Sequence, residues 1–280
     1  MPCHASRQIR FGQGIVLAMS DILAGKVVIV TGASGHIGRT IAIEAGRRGA
    51  SVVIVADANE EAPDGEPTTV YAIESLGGAA QFVRTDVCDH RQVEALVASA
   101  DRFGGVDLMV ANAGDTPSLR VPTVAEGGYG RFLSLTLDAT LYCAQAAAQQ
   151  MSARGKGGSI VLVAGSGEER GAVRYVHSTL RDSIVLMARH LAVVVSPEGI
   201  RVNTVCRGSQ GPVGVRVDPT DVETPDGPRI RVVPPRSGNL MKIADAVVWL
   251  GSDRSSDVSG YALLVDGGLL SFEGSTPTYH

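Results

Sequence analysis

Val27-Val28-Ile29-Val30 is a β-branched run that ends in Thr31-Gly32-Ala33-Ser34-Gly35-His36-Ile37-Gly38, and a helical period begins at once. That period comes from Ile37, Ile41, Ala42 and Ala45 within 36–48, and it stops at Gly49. Val52 to Ala56 then reads as a second buried strand. Strand, glycine turn, helix and strand in this order form a βαβ unit, whose crossover is nearly always right-handed. This unit constrains the chain more than any other feature, because it demands a parallel sheet.

The alternation continues to the other end of the chain. A polar loop over 59–68 precedes a helical stretch at Val70 to Leu76 and a strand at Ala80 to Arg84. A helix over 89–102 and a strand at Val106 to Ala111 come next, then one long helix, rich in Leu and Ala, over 129–151. Ser159 to Ala164 is the fifth strand, Tyr175 to Val195 a helix and Ile200 to Val205 the sixth strand. A helix at 240–250 and a strand at 261–265 close the pattern. Short apolar strands alternating with amphipathic helices specify a single α/β domain, doubly wound around a mostly parallel sheet. The stretch 207–239, rich in Gly, Pro, Asp and Arg, lacks periodicity and reads as a loop over the ligand crevice.

Composition excludes several classes of function. The 280 residues carry a net charge of -4 and hold three lysines, Lys26, Lys156 and Lys242, with no polybasic run, so no nucleic-acid partner is expected. Cys3, Cys88, Cys143 and Cys206 form no CxxC pair, which implies free thiols and no metal site. The apolar runs are too short to cross a membrane. Residues 1–21 read as an N-terminal extension, 22–270 as the domain and 271–280 as a tail, in a cytoplasmic protein.

The glycine turn carries the chemistry. Its glycines permit a tight bend and close approach of backbone to a pyrophosphate, and the helix beginning there offers unpaired N–H groups to the negative charge. Asp57 lies just after the second strand, 19 residues beyond Gly38. A carboxylate there accepts both ribose hydroxyls of an adenosine and repels a 2′-phosphate, so NAD is expected rather than NADP.

These residues resemble the short-chain dehydrogenase/reductase family over about 22–268. Asp86-Val87 is similar to the family's adenine-contacting pair, and Asn112-Ala113-Gly114 to the end of its Asn-Asn-Ala-Gly signature, with Ala111 for the first Asn. Ile200-Arg201-Val202-Asn203 and Val265-Asp266-Gly267-Gly268 are also family-like. The resemblance implies a single Rossmann domain with a seven-stranded sheet, assembled as a homotetramer or homodimer. It also implies a cofactor site built from Gly32, Ser34, Gly35, His36, Ile37, Gly38, Asp57, Asp86, Val87, Asn112, Ala113, Gly114, Arg181 and Gly208. The glycines depart from the usual TGxxxGxG: here they read TGxxGxxG, as in extended and atypical branches, with His36 at the second-glycine position.

The family's catalytic Asn, Ser, Tyr and Lys are not matched. Counting back from Ile200-Arg201-Val202-Asn203 without gaps puts His177 at the Tyr position and Arg181 at the Lys position. Counting from Tyr175 puts Thr179 at the Lys position and demands two extra residues downstream, so the first placement is preferred. Gly165 falls where Ser belongs, with Ser166 one residue late, and Thr136 falls at the Asn. Arg207-Gly208 replaces a Pro-Gly pair. Three readings stay open. The first is an atypical NAD-dependent oxidoreductase of a small alcohol or carbonyl substrate, with His177 moving the proton, Arg181 one helical turn away, and Ser166 or Tyr175 binding the substrate oxygen. The second is a non-redox lyase or isomerase using Ser166, His177 and Arg181. The third is a nucleotide-binding sensor or partner subunit without catalysis.

Overall fold

The computed structural model describes residues 21–112, 128–165, 173–207, 221–222, 230–231 and 239–266. The predicted extension, the tail and most of 207–239 lie outside them. The strands are β1 (Val27–Thr31), β2 (Val52–Asp57), β3 (Ala80–Arg84), β4 (Leu108–Ala111), β5 (Gly158–Gly165), β6 (Ile200–Arg207) and, last in the sheet, β9 (Ala262–Val265). They form one seven-stranded sheet in the order β3-β2-β1-β4-β5-β6-β9, and every pairing in it is parallel. The order reverses between β1 and β4, the place where such sheets open a crevice at their carboxyl edge.

The two faces of the sheet read directly from alternation along β1. Val27 and Ile29 join a core with α3 (His90–Ala98), α5 (Ala139–Arg154) and α6 (Val173–Val195). Val28 and Val30 join the opposite core with α1 (His36–Arg47) and α7 (Leu240–Gly251). Both cores are fully buried along β1, which explains the unbroken β-branched run: neither face meets water. A short helix α2 (Thr69–Glu74) packs against α1 and the edge strand β3.

Three elements differ from the sequence expectation. The long helix predicted over 129–151 is α4 (Gly128–Leu133), then a π-helical segment at Ser134–Asp138, then α5. A π-turn adds one residue to the helical repeat and rotates the helix beyond it. The helix predicted over 89–102 is shorter, because α3 ends at Ala98 and a 3₁₀ turn covers Asp101–Phe103. The stretch 207–239 is not wholly irregular: β7 (Asp221–Val222) and β8 (Ile230–Arg231) pair antiparallel.

The family-like Arg201 and Asn203 turn out to be braces. Arg201 donates to the carbonyls of Leu250 (2.9 Å), Ser252 (3.1 Å) and Val258 (3.3 Å) and to Ser255 Oγ (3.1 Å). It thereby caps the carboxyl end of α7, where the helix dipole favours a cation. Asn203 Nδ2 donates to the Val258 carbonyl and its Oδ1 accepts from the Tyr261 N–H, which sets the register of β9. Among the described residues no helix is long and apolar enough to cross a membrane. Arg201→Ala should lower stability by about 1–3 kcal/mol, since it removes four hydrogen bonds that tie β6 to the end of α7 and the segment after it. Thermal unfolding checks this, and a melting point equal to the parent's would remove the brace.

Candidate functional site

The glycine turn is held from three sides. Gly32 takes a φ of +62°, a left-handed conformation that only glycine adopts without strain. From below, the Thr31 hydroxyl donates to the Val110 carbonyl and accepts from the Asn112 N–H, while Asn112 Nδ2 donates to the carbonyls of Thr31 (3.2 Å) and Gly32 (3.4 Å). From the side, Ser34 N–H donates to Asp57 Oδ2 (3.0 Å) and Ser34 Oγ to the Asn59 carbonyl (2.6 Å). From outside, buried Arg39 reaches Glu66 and Thr69, whose hydroxyl donates to the Ala33 carbonyl.

The third glycine fixes how α1 leaves this turn. A Cβ on Gly38 would sit 2.2 Å from the Gly32 carbonyl oxygen and 2.7 Å from Asn112 Nδ2, so no other residue fits without moving the helix. Gly35 is different: a Cβ there would meet the Gly32 oxygen at 3.6 Å, an ordinary contact. Gly35 caps α1 in an extended conformation with no side chain bonded to the helix end, and no acidic residue occupies the first turn. Helical bonding at this end starts with Arg39 N–H donating to the Gly35 carbonyl, so the N–H groups ahead of it face the crevice without helical partners. That is an anion cradle of the kind a pyrophosphate fits.

The cradle opens into a crevice of about 890 Å³ along the carboxyl edge of the sheet. Gly32, Gly35, His36, Ile37, Gly38, Asp57, Asp86, Val87 and Asn112 line it, as do Thr136 and Gly165. His36 is exposed at its rim. Ser34 is not a lining residue; its side chain is buried and turned toward Asn59. Asp57 accepts from Ser34 and, through Oδ1, from Ala58 N–H (2.8 Å). A carboxylate offers about four acceptor positions, so two such bonds leave room for ribose hydroxyls.

The opposite end of the crevice runs over Val163, Ala164 and Gly165 of β5 and Arg207 of β6, with Ser134, Leu135 and Thr136 of the π-helical segment beside it. The Thr136 hydroxyl is buried without a partner. Arg207 and Arg131 are cationic lining residues that sequence spacing does not assign to the site. Arg131 gives no signal, because α4 lies far from any motif; Arg207 reads in the sequence as a replaced Pro and as one of five arginines that give 207–239 a local positive potential.

Arg181 is not brought to this crevice. Its side chain is 14% exposed, and its Nε donates to Asp182 Oδ1 at 2.9 Å. Thr179, at the Lys position of the other placement, is exposed. Helix α6 includes Tyr175 and His177 in its backbone, but their side chains lie outside the described residues, as do Ala113, Gly114, Ser166 and Gly208 entirely. Burial pushes the Cys143 thiol up to about 12 and that of Cys206 up to about 11, so neither serves as a nucleophile at neutral pH. Among the described residues no cluster of His, Cys, Asp and Glu is arranged to hold a metal.

Comparison with known proteins agrees with this architecture. A family model described as enoyl-(acyl carrier protein) reductase matches residues 32–270. An L-rhamnose 1-dehydrogenase (NAD(P)(+)) from Azotobacter vinelandii is 35% identical over 250 residues, covering 89% of this chain and 98% of its own. A cis-4-hydroxycyclohexanecarboxylate dehydrogenase from Sinomonas cyclohexanicum is 33% identical, with 89% and 98% covered. The solved structure of a short-chain type dehydrogenase/reductase from Mycobacterium marinum superposes with a TM-score of 0.74 at 26% identity, covering 90% of this chain and 98% of that one.

The chain belongs to the short-chain dehydrogenase/reductase family. Membership makes it an NAD(P)-dependent oxidoreductase, and the crevice residues fit such a nucleotide.

The two glycines separate packing from binding. Gly38→Ala should cost about 1–3 kcal/mol, because its methyl overlaps a backbone oxygen. Gly35→Ala should stay within about 0.5 kcal/mol of the parent, as an exposed change without a clash. Equal melting points for the two variants would show that the turn is not packed as described.

Proposed function

We propose that this protein transfers a hydride between NAD and a small alcohol or carbonyl substrate, with the reaction over the carboxyl ends of β4, β5 and β6. The observation that carries the reading is the uncapped start of α1 opening into the same crevice as Asp57. The backbone N–H groups of His36, Ile37 and Gly38 hold the pyrophosphate. Asp57 accepts the adenosine ribose hydroxyls, and its negative charge disfavours a 2′-phosphate. Asp86 and Val87 flank the adenine, while Asn112 supports the turn from beneath.

The nucleotide supplies the hydride chemistry. The chain's own task is to place the substrate and move one proton. His177 is assigned that proton, since an imidazole exchanges it near neutrality. Support for this placement over Tyr175 comes from the sequence: it follows without gaps from Ile200-Arg201-Val202-Asn203, whereas Tyr175 demands two extra residues downstream. Arg181 pairs with Asp182 away from the crevice, so it is assigned a positioning charge near the end of β6 rather than a ribose contact. Ser166, Tyr175, Ala113, Gly114 and Gly208 keep their assignments as substrate or cofactor neighbours. The redox activities named for the relatives favour this reading over a lyase, an isomerase or a sensor.

A homo-oligomer is proposed as well. Val193 and Val194 are 74% and 70% exposed at the end of α6, with Leu186 half-exposed two turns earlier, an apolar stripe that a second copy would cover. Val193→Glu together with Val194→Glu should shift the parent's oligomer toward monomer in analytical ultracentrifugation. A monomeric parent would end that proposal.

Calorimetry tests the cofactor assignment. NAD should bind at least about tenfold more tightly than NADP, a difference of about 1.4 kcal/mol. Asp57→Asn, which keeps the acceptor for Ser34, should erase most of that preference. Tighter binding of NADP would contradict the role of Asp57. With L-rhamnose and cis-4-hydroxycyclohexanecarboxylate as first probes of nicotinamide absorbance, His177→Ala should reduce turnover by about 10²–10⁴-fold with nucleotide affinity little changed. Full activity in that variant would take His177 out of the mechanism.

A further inference from the structure

The two ends of the crevice differ in charge. Asp57 and Asp86 stand at the carboxyl ends of β2 and β3, and exposed Arg131 lies on their side, near enough to influence the Cys88 thiol. Over β5 and β6 the charged lining residue among those described is Arg207. Asp182 and Asp266 lie close enough to act on Cys206, but neither is a lining residue.

Arg207 is placed there by the sheet itself. It ends β6 directly opposite Gly165, which ends β5, and the two are register partners. A Cβ on Gly165 would lie 3.7 Å from a terminal nitrogen of Arg207 and 4.0 Å from its guanidinium carbon. The guanidinium therefore lies against the end of β5, at ordinary contact distance from where a Cβ at 165 would stand, and a larger side chain there would compete with it for the space. A Pro at 207 would put no charge there at all.

We propose that this end of the crevice is an anion subsite, in which Arg207, seated over Gly165, holds a carboxylate of the second substrate. The inference rests on the nucleotide occupying the α1 end of the crevice, and adds that the substrate is a hydroxy or oxo acid. Arg207 also interacts within the chain. A guanidinium presents five N–H donors, so a protein contact is compatible with a forked bond to two carboxylate oxygens. The charge is permanent at any working pH, whereas a hydroxyl at this place would serve a neutral substrate equally well.

The test uses the full chain, titrated first with NADH and then, saturated with it, with matched pairs: acetate and acetamide, benzoate and benzamide, cyclohexanecarboxylate and cyclohexanecarboxamide. In at least one pair the carboxylate should bind about tenfold or more tightly than its amide. Arg207→Gln should abolish that preference and Arg207→Lys should keep part of it, because a point charge lacks the fork. Gly165→Val keeps the arginine but fills its seat, and should weaken the carboxylate while leaving the amide unchanged. If NADH binds and no pair shows a preference, or if all three variants retain it, the subsite is refuted. If NADH itself fails to bind to the parent, the reading beneath it falls instead.

Discussion

The close approach of Gly38 to the Gly32 carbonyl is the constraint on which the rest of the site depends. It sets where α1 starts, and hence where the first free N–H groups of that helix point. Asn112 reinforces the same spot from β4, so the turn, the first strand and the fourth strand move as one body. Asp57 reaches the turn from β2. A dinucleotide held here would meet a surface already ordered before it arrives, which lowers the entropy lost on binding.

The switch between β1 and β4 puts this preorganised end beside a second region of different origin. Over β5 and β6 the crevice is shaped by a π-helical segment and by an arginine–glycine exchange between neighbouring strands. In the proposed reading, the pyrophosphate is held by backbone groups and the ribose by Asp57, whereas the substrate is met by side chains at positions where this chain departs from its family. Fold and cofactor use can persist through such departures while the reacting partner changes.

The fold is largely legible in the sequence because the central strands are buried on both faces, and runs such as Val27–Val30 and Val52–Ala56 leave no second interpretation. The π-helical segment is not legible. Ser134–Asp138 has no glycine or proline to mark it, and a one-residue insertion in an apolar helix hardly alters its pattern. The two-residue strands β7 and β8 are too short to show a period. At the site, the glycines and Asp57 are legible because backbone geometry and strand ends fix them. Its place in the turn points Ser34 to the cofactor, yet its side chain faces Asn59; sequence spacing does not reveal rotamers. Helical spacing puts Arg181 within reach of the nucleotide, and its pairing with Asp182 draws it aside.

The most direct test of the central claim is backbone amide NMR of the ¹⁵N-labelled protein titrated with NAD. Pyrophosphate binding at the start of α1 should move the amide signals of His36, Ile37 and Gly38 furthest downfield, with smaller shifts around Asp57. Saturable NAD binding that leaves those three amides unmoved would contradict it, and would place the nucleotide elsewhere on the sheet.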